Sequence, residues 1–434
     1  MSGEPSLINE PSLIEGPSLI EGPSLIEGPS LLIDVGSTVI KLCTRSAGDG
    51  FGPVERIPRL PGVPAGEQVR TLVEQRRQHG GIGSVRICSS ANGGLRLGIV
   101  GLSRRHSVQA AARAVLEAGG NVAYARLLSE QPPAPPLPVD VLVLVGGIDG
   151  TDHRRLRAAL AAHRLADYPR DVLVWAGADA PELVAGLPID RRAANVLDQH
   201  LRPQLRGLAD TIRDIYVEDL VDRKGLGALI DLAEAPIWPT PAVVALAAAR
   251  MSRQPVAPAP TTPFVVIDVG GATTDSYACA ELRADHSARS SPGESIVRQV
   301  FTDLGVASSA AGLLSRLATE PNLYELASAV APANPRALYH ALCEGRAEAL
   351  APPVGFLTCL FLALRRLATA EGPHRVELGR VASFVITGGA CGRTPLPAIR
   401  RVIEAAGELP GASFAVLLDA DYLLWAHGIQ DVPA

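Results

Sequence analysis

The sequence predicts an α/β protein, and three observations carry that prediction. Apolar runs of strand length recur along the chain, at residues 31–35, 139–145, 264–268 and 383–387. Each run ends at a glycine turn. Amphipathic stretches of helical length lie between them, and strand–helix alternation of this kind builds parallel βαβ layers.

The first thirty residues stand apart. Pro5, Pro11, Pro17, Pro23 and Pro29 each open a Pro-Ser-Leu-Ile/Leu unit. A proline every six residues forbids a continuous helix. Five short copies are too few to bury a β-helix, so the segment is expected to be a disordered tail. The last copy runs into the apolar residues 31–35, a buried strand. Residues 67–78 read as a helix, 85–88 and 97–102 as strands, and 107–118 as a helix ended by Gly119-Gly120. Residues 139–145 are almost wholly apolar, as a strand buried on both faces must be. A helix follows from about residue 152, then a strand at 171–175. The proline-rich stretch 254–263 marks a boundary before the strand at 264–268. Helices dominate residues 308–370, and the uncharged run 351–364 is too short to span a bilayer, so it reads as a buried helix. Residues 383–387 and 414–418 are strands, with a helix at 398–406.

Composition narrows the function. Hydrophobic residues are 47% and charged residues 20%, which allows a large core. A net charge of −5 offers no electrostatic footprint for nucleic acid and no polybasic membrane anchor. The six cysteines form no CxxC, which argues against zinc, an iron–sulfur cluster or a disulfide framework, and a reducing cytoplasm is expected. The amino terminus has no signal-peptide pattern. There is no GxxxxGK[ST], HExxH or GxSxG. The turn Gly146-Gly147-Ile148-Asp149-Gly150 follows a buried strand but lacks the GxGxxG of a dinucleotide site. Only two lysines occur, Lys41 and Lys224, against 38 arginines. Lys224 reads as a surface residue, while Lys41 has two readings, a solvated side chain or a point charge for phosphate.

Three turns carry the chemistry: Asp34-Val35-Gly36-Ser37-Thr38, Asp268-Val269-Gly270-Gly271-Ala272-Thr273-Thr274-Asp275, and Thr387-Gly388-Gly389. In the first two, an apolar strand ends at an aspartate, and glycine then lets backbone N–H groups approach an anion. Hydroxyls follow that can donate to phosphate oxygens. The carboxylate can hold a hydrated Mg²⁺ that bridges the phosphates. Two such loops face to face would clamp a polyphosphate, and the bare third turn offers a floor for a nucleoside base.

This trio resembles the nucleotide signature of the actin, sugar-kinase and heat-shock-chaperone ATPase superfamily. Within it, the chain resembles the GlmL/MutL family of glutamate mutase accessory proteins. The resemblance rests also on Cys88-Ser89-Ser90-Ala91-Asn92-Gly93-Gly94-Leu95, Gly146–Gly150, Lys224-Gly225-Leu226, Pro239-Thr240-Pro241 and Asp303-Leu304-Gly305, and it covers residues 31–428. The chain departs from the family pattern at Ile40, where a hydroxyl is usual, and at Ser276-Tyr277.

The resemblance implies a two-lobed actin-like ATPase with ribonuclease H-like lobes and a βαβ-rich insertion. Residues 31–83 would begin the first lobe, 84–263 form the insertion, and 264–434 form the second lobe and terminal helices. It implies ATP and Mg²⁺ as cofactors, with Asp34 and Asp268 organising the metal and the attacking water. Gly36, Ser37, Thr38, Lys41, Gly270, Gly271, Thr273 and Thr274 would hold phosphates. Asp275 would orient the second loop, and Gly388 and Gly389 would meet adenosine. The implied partners are the subunits of an adenosylcobalamin-dependent mutase, glutamate mutase above all, which a slow ATPase would reactivate. Two alternatives stay open, a small-molecule kinase of the superfamily and a nucleotide-dependent actin-like scaffold. The low aromatic content, 4%, disfavours a sugar pocket. The cysteine spacing disfavours a dehydratase activator, which needs bridging cysteines.

Overall fold

The computed structural model describes residues 29–432, apart from 37, 47–49, 81, 91–94, 133–136, 225, 255–258, 285–294, 307–309, 318–319 and 371–374. The hexad repeat up to residue 28 and Ser37 therefore lie outside the described residues, as does the side chain of Lys224. Ser30, expected in the tail, instead opens the first strand because it pairs across the sheet.

The first lobe begins with β1 (Ser30–Val35), β2 (Val39–Arg45), β3 (Glu55–Pro58), α1 (Ala65–Gly80) and β4 (Ser84–Ser89). The insertion follows with β5 (Arg96–Gly101), α2 (Gln109–Glu117), β6 (Asn121–Leu127), β7 (Val139–Val145), α3 (Arg154–Ala162), β8 (Arg170–Trp175) and β9 (Arg191–Arg192). The chain returns to the first lobe through α4 (Arg206–Lys224), β10 (Trp238–Pro239) and α5 (Thr240–Met251). The second lobe holds β11 (Phe264–Val269), β12 (Thr274–Cys279), β13 (Ile296–Phe301), α6 (Ala310–Leu317), α7 (Leu323–Val330), α8 (Pro335–Cys343) and α9 (Val354–Thr369). It ends with β14 (Ser383–Gly388), α10 (Leu396–Ala406), β15 (Ala415–Leu418) and α11 (Leu424–Ile429).

The two lobes repeat one topology. The first sheet runs β10-β4-β1-β2-β3 and the second β13-β12-β11-β14-β15. In both, the opening strand pairs antiparallel with the next strand and parallel with a later one. The expected two-lobed, actin-like α/β architecture is thus written in the strand order itself. The opening strands β1 and β11 sit at the centre of their sheets, which is why they read as apolar runs.

The insertion's sheet runs β6-β5-β7-β8-β9, and every pairing in it is parallel. Written by order of appearance this is 2-1-3-4-5, a doubly wound arrangement. Strand β7 shows its logic: Val141, Val143 and Val145 face one core, and Leu142 and Leu144 face another. The first of those cores is continuous with that of the first lobe, through α1, α2 and α4. The insertion is therefore braced on the first lobe rather than hung from it.

Its limits differ from the expected 84–263. Strands β4 and β10 pair inside the first sheet, so the separate sheet begins at β5 and ends at β9. The reason is non-local pairing: residues 84–89 and 238–239 find each other across the whole insertion. Helix α9 is buried along most of its length, as the run 351–364 suggests. No helix among the described residues is long and apolar enough to cross a membrane.

Candidate nucleotide site

Strands β1 and β11 each end in the same turn. Gly36 N donates to Val39 O at 3.0 Å, and Gly270 N donates to Thr273 O at 2.9 Å. A Cβ on Gly36 would lie 2.6 Å from Val39 O, so only glycine closes the turn this tightly. The departure at Ile40 is a packing choice: its side chain is fully buried in the first-lobe core.

The matched turns differ in one telling position. Across the first hairpin Asp34 faces Lys41, and across the second Asp268 faces Asp275. Asp34 is fully buried and saturated. Its Oδ2 accepts from Lys41 Nζ at 2.6 Å, and its Oδ1 accepts from Thr240 Oγ1 at 2.6 Å. Lys41 also lies 4.2 Å above the ring of Tyr422. It is neither a solvated lysine nor a free charge, but the counter-ion of Asp34.

The Asp268 side chain has no hydrogen-bond or ion-pair partner among the described residues and is half-buried. Burial first, and then the neighbouring carboxylate of Asp275, push it up to about 7, with Lys41 opposing and Asp34 adding to the rise. Lys41 and Asp34 belong to the first lobe, so the charges of the first hairpin lie close enough to act on Asp268. The folded chain then holds a proton on Asp268 that the unfolded chain releases, over the window from about pH 4 to about 7. Stability from this group is present at the acid end of that window and falls as pH rises through it. Asp268→Asn should therefore raise the melting temperature of the nucleotide-free protein at pH 8, and raise it less at pH 5, in a thermal-shift series.

The remaining positions divide by what they touch. Thr38 is exposed at the first turn, and its carbonyl accepts from Arg59 N at 2.9 Å. Thr273 is half-buried, and its hydroxyl donates to Asp275 Oδ2 at 3.2 Å. Thr274 turns inward: it is fully buried and its Oγ1 donates to Leu304 O at 2.7 Å, so it anchors the loop and does not face the cleft. Gly270 and Gly271 rest on the Asp303-Leu304-Gly305 segment, where Val306 N donates to Gly270 O at 3.2 Å. Asp275 is buried against Arg298, which donates to it at 2.9 and 2.6 Å.

The third turn ends β14. Gly388 has φ +119°, and a Cβ there would lie 2.2 Å from Val269 O of the neighbouring strand. Gly389 lies near the hydroxyl of Tyr422. Thr387 Oγ1 donates to Asp419 Oδ2 at 2.9 Å, and Asp419 accepts from Leu423 N and Leu424 N at the start of α11. Burial raises the Asp419 carboxyl above its ordinary value.

Thr240, Arg298, Asp419 and Tyr422 escape sequence reasoning as site residues. Only Thr240 left a signal, the Pro239-Thr240-Pro241 match, whose second proline suits the first turn of a helix. The turn Gly146–Gly150 lies instead in the insertion, where Asp149 Oδ1 accepts from Asn195 Nδ2 and Asp179 N.

The donor set suits Mg²⁺ held through water and phosphate, which needs only one or two carboxylates. Asp268, partnerless and raised toward neutral pH, fits such a cation; Asp34 is already neutralised by Lys41. No group of three or more acidic, histidine or cysteine side chains among the described residues forms a closed metal cage.

The activator of the 2-hydroxyisocaproyl-CoA dehydratase from Clostridium difficile, solved with bound ADPNP, is 9% identical over 92% of each chain, at a TM-score of 0.31. A ROK family glucokinase from Streptomyces griseus, in complex with glucose and AMPPNP, is 13% identical over 93% of this chain and 98% of that one, at 0.36. The protein MutL of Clostridium tetanomorphum is 28% identical over 213 residues, which are 45% of this chain and 44% of that protein. The match thus spans less than half the length of that relative. The MutL protein family profile matches residues 30–430. Since that span runs from the first strand of one lobe to just past α11 of the other, the chain belongs to the MutL protein family.

Proposed function

We propose that the chain binds ATP with Mg²⁺ between its lobes and acts as a slow, accessory ATPase that reactivates an adenosylcobalamin-dependent mutase such as glutamate mutase. The observation that supports the nucleotide reading is the pair of matched Asp-x-Gly turns, ending β1 and β11, with the Asp268 carboxylate beside the second and the charges of the first acting on it.

The backbone N–H groups after Gly36 and Gly270, with the hydroxyls of Thr38 and Thr273, would grip the phosphates from opposite lobes. The third turn, beside Tyr422, would seat the base. When bound, Mg²⁺ at Asp268 would neutralise phosphate charge. Asp268 would orient the attacking water and take its proton. Lys41, already bound to Asp34, would keep that buried carboxylate neutralised while the cleft opens and closes. A γ-phosphate gripped by both turns favours closure, and its loss releases it. That cycle is what a reactivating factor needs to pry a partner open.

The mutase role is supported by family membership. It is tested by adding the chain to a mutase whose cofactor has been damaged. Activity is expected to return only with ATP, Mg²⁺ and fresh adenosylcobalamin together. Return without ATP, or none with any addition, overturns this reading.

A further inference from the structure

Arg298 on β13 sits where the second lobe meets the insertion, and it is only 6% exposed. Its Nε and Nη2 donate to Asp275 Oδ1 at 2.9 and 2.6 Å. Its Nη1 donates to Leu116 O at 3.1 Å and Gly120 O at 3.0 Å. Those carbonyls close the carboxyl end of α2 in the insertion, where a cation is favoured by the helix dipole. An arginine that merely filled space would keep its head in water. This one is buried with its charge shared between an acid of the second phosphate turn and a helix end of another domain. Removing either partner would leave a costly unmet group.

Asp275 in turn accepts from the hydroxyl of Thr273. One hydrogen-bonded chain therefore runs from Thr273 through Asp275 and Arg298 to the end of α2. Thr273 has two alternatives, Asp275 or a phosphate oxygen.

We infer that Arg298 is a positioning residue that couples the second phosphate turn to the insertion, so that nucleotide binding loosens the end of α2. The inference rests on the nucleotide reading proposed above. When Thr273 turns to phosphate, Asp275 Oδ2 loses its donor. The guanidinium then gains by pairing with both oxygens of Asp275, the favoured geometry for arginine with a carboxylate. That shift draws Nη1 away from Leu116 O and Gly120 O. The insertion, braced on the first lobe, is freed at its contact with the second.

Hydrogen exchange on the full chain, with and without Mg²⁺–ATP, tests this. In the wild type, nucleotide is expected to protect residues 270–275 and to speed exchange at the amides of 118–121 by about fivefold or more, the low end of ordinary coupling. In Arg298→Met the amides of 118–121 should exchange fast in both states. In Arg298→Lys the ammonium pairs with Asp275 but does not span both partners. ATP should then still bind and protect 270–275 while 118–121 no longer respond. A residue with a purely structural role would not separate binding from response in this way. The wild type and Arg298→Lys carry the test if the methionine variant does not fold. Protection at 270–275 without any change at 118–121 in the wild type overturns the coupling, as does a wild-type response in Arg298→Lys. No change at either place overturns the nucleotide reading itself.

Discussion

Replacing Asp268 by alanine is expected to abolish ATP turnover while leaving the fold intact. Asp268 has no side-chain partner among the described residues, so its removal breaks no hydrogen bond and no ion pair. The loss falls on chemistry alone. A positioned acid–base group contributes about 10²–10⁴-fold to rate, and a phosphate-release assay should show a drop of that order. Circular dichroism and the unfolding midpoint should stay at or above the wild-type values. The same variant should fail to restore an inactivated mutase. Restoration at the wild-type rate would show that hydrolysis at this aspartate does not drive the process. Asp34→Ala is not an equivalent experiment. It would strand Lys41 and Thr240 in a buried site, and a loss of activity there would be confounded with a loss of stability.

Replacing Gly388 by alanine is expected to be the most destabilising small change in the site. Its φ of +119° is one that an L side chain rarely adopts, and the added Cβ would lie 2.2 Å from Val269 O, 2.8 Å from its carbonyl carbon and 2.9 Å from its nitrogen. All three are backbone atoms of β11 and cannot rotate away. Backbone strain of about 1–3 kcal/mol adds to overpacking of about 1–3 kcal/mol. The sum is a large part of the roughly 5–15 kcal/mol that holds a typical domain together. Urea unfolding should show a markedly lower midpoint with little change in slope. Gly389→Ala is the control. Its Cβ would meet only the Tyr422 hydroxyl at 3.8 Å, so stability should hardly move. Any effect should fall on nucleotide affinity, because that surface is the proposed floor for the base.

The two substitutions separate two uses of the strand ends. Gly388 lets two central strands, β11 and β14, approach at the cleft. Asp268, one residue before the end of β11, is the group proposed to meet the ligand.

Much of this was legible in the sequence, for a physical reason that also marks its limit. Strands β1, β7, β11 and β14 are central and covered on both faces, so their residues must be apolar in unbroken runs, and they announce themselves. The aspartates and glycines at their ends stand out against those runs. The family resemblance follows from the same turns, and the strand order repeats it in three dimensions. Strands β2, β12 and β13 are different. They mix Lys41, Asp275, Ser276 and Arg298 with apolar residues, because one end of each serves the site, and no clean period survives.

What the sequence by itself determined, then, is the class of fold, the three turns and the family they resemble. Tertiary structure alone decided which groups those turns meet. Thr240 reaches Asp34 across 206 residues, Arg298 reaches Leu116 across 182, and Tyr422 comes from near the carboxyl end to lie beneath Lys41. It also decided that Thr274 faces the interior, and that the insertion's separate sheet begins at β5 because β4 pairs inside the first sheet, between β10 and β1. The reason is common to all of these. A turn's backbone geometry is local and leaves its mark in neighbouring residues. The neutralisation of a buried charge is not local, and its partner stands wherever the fold brings it.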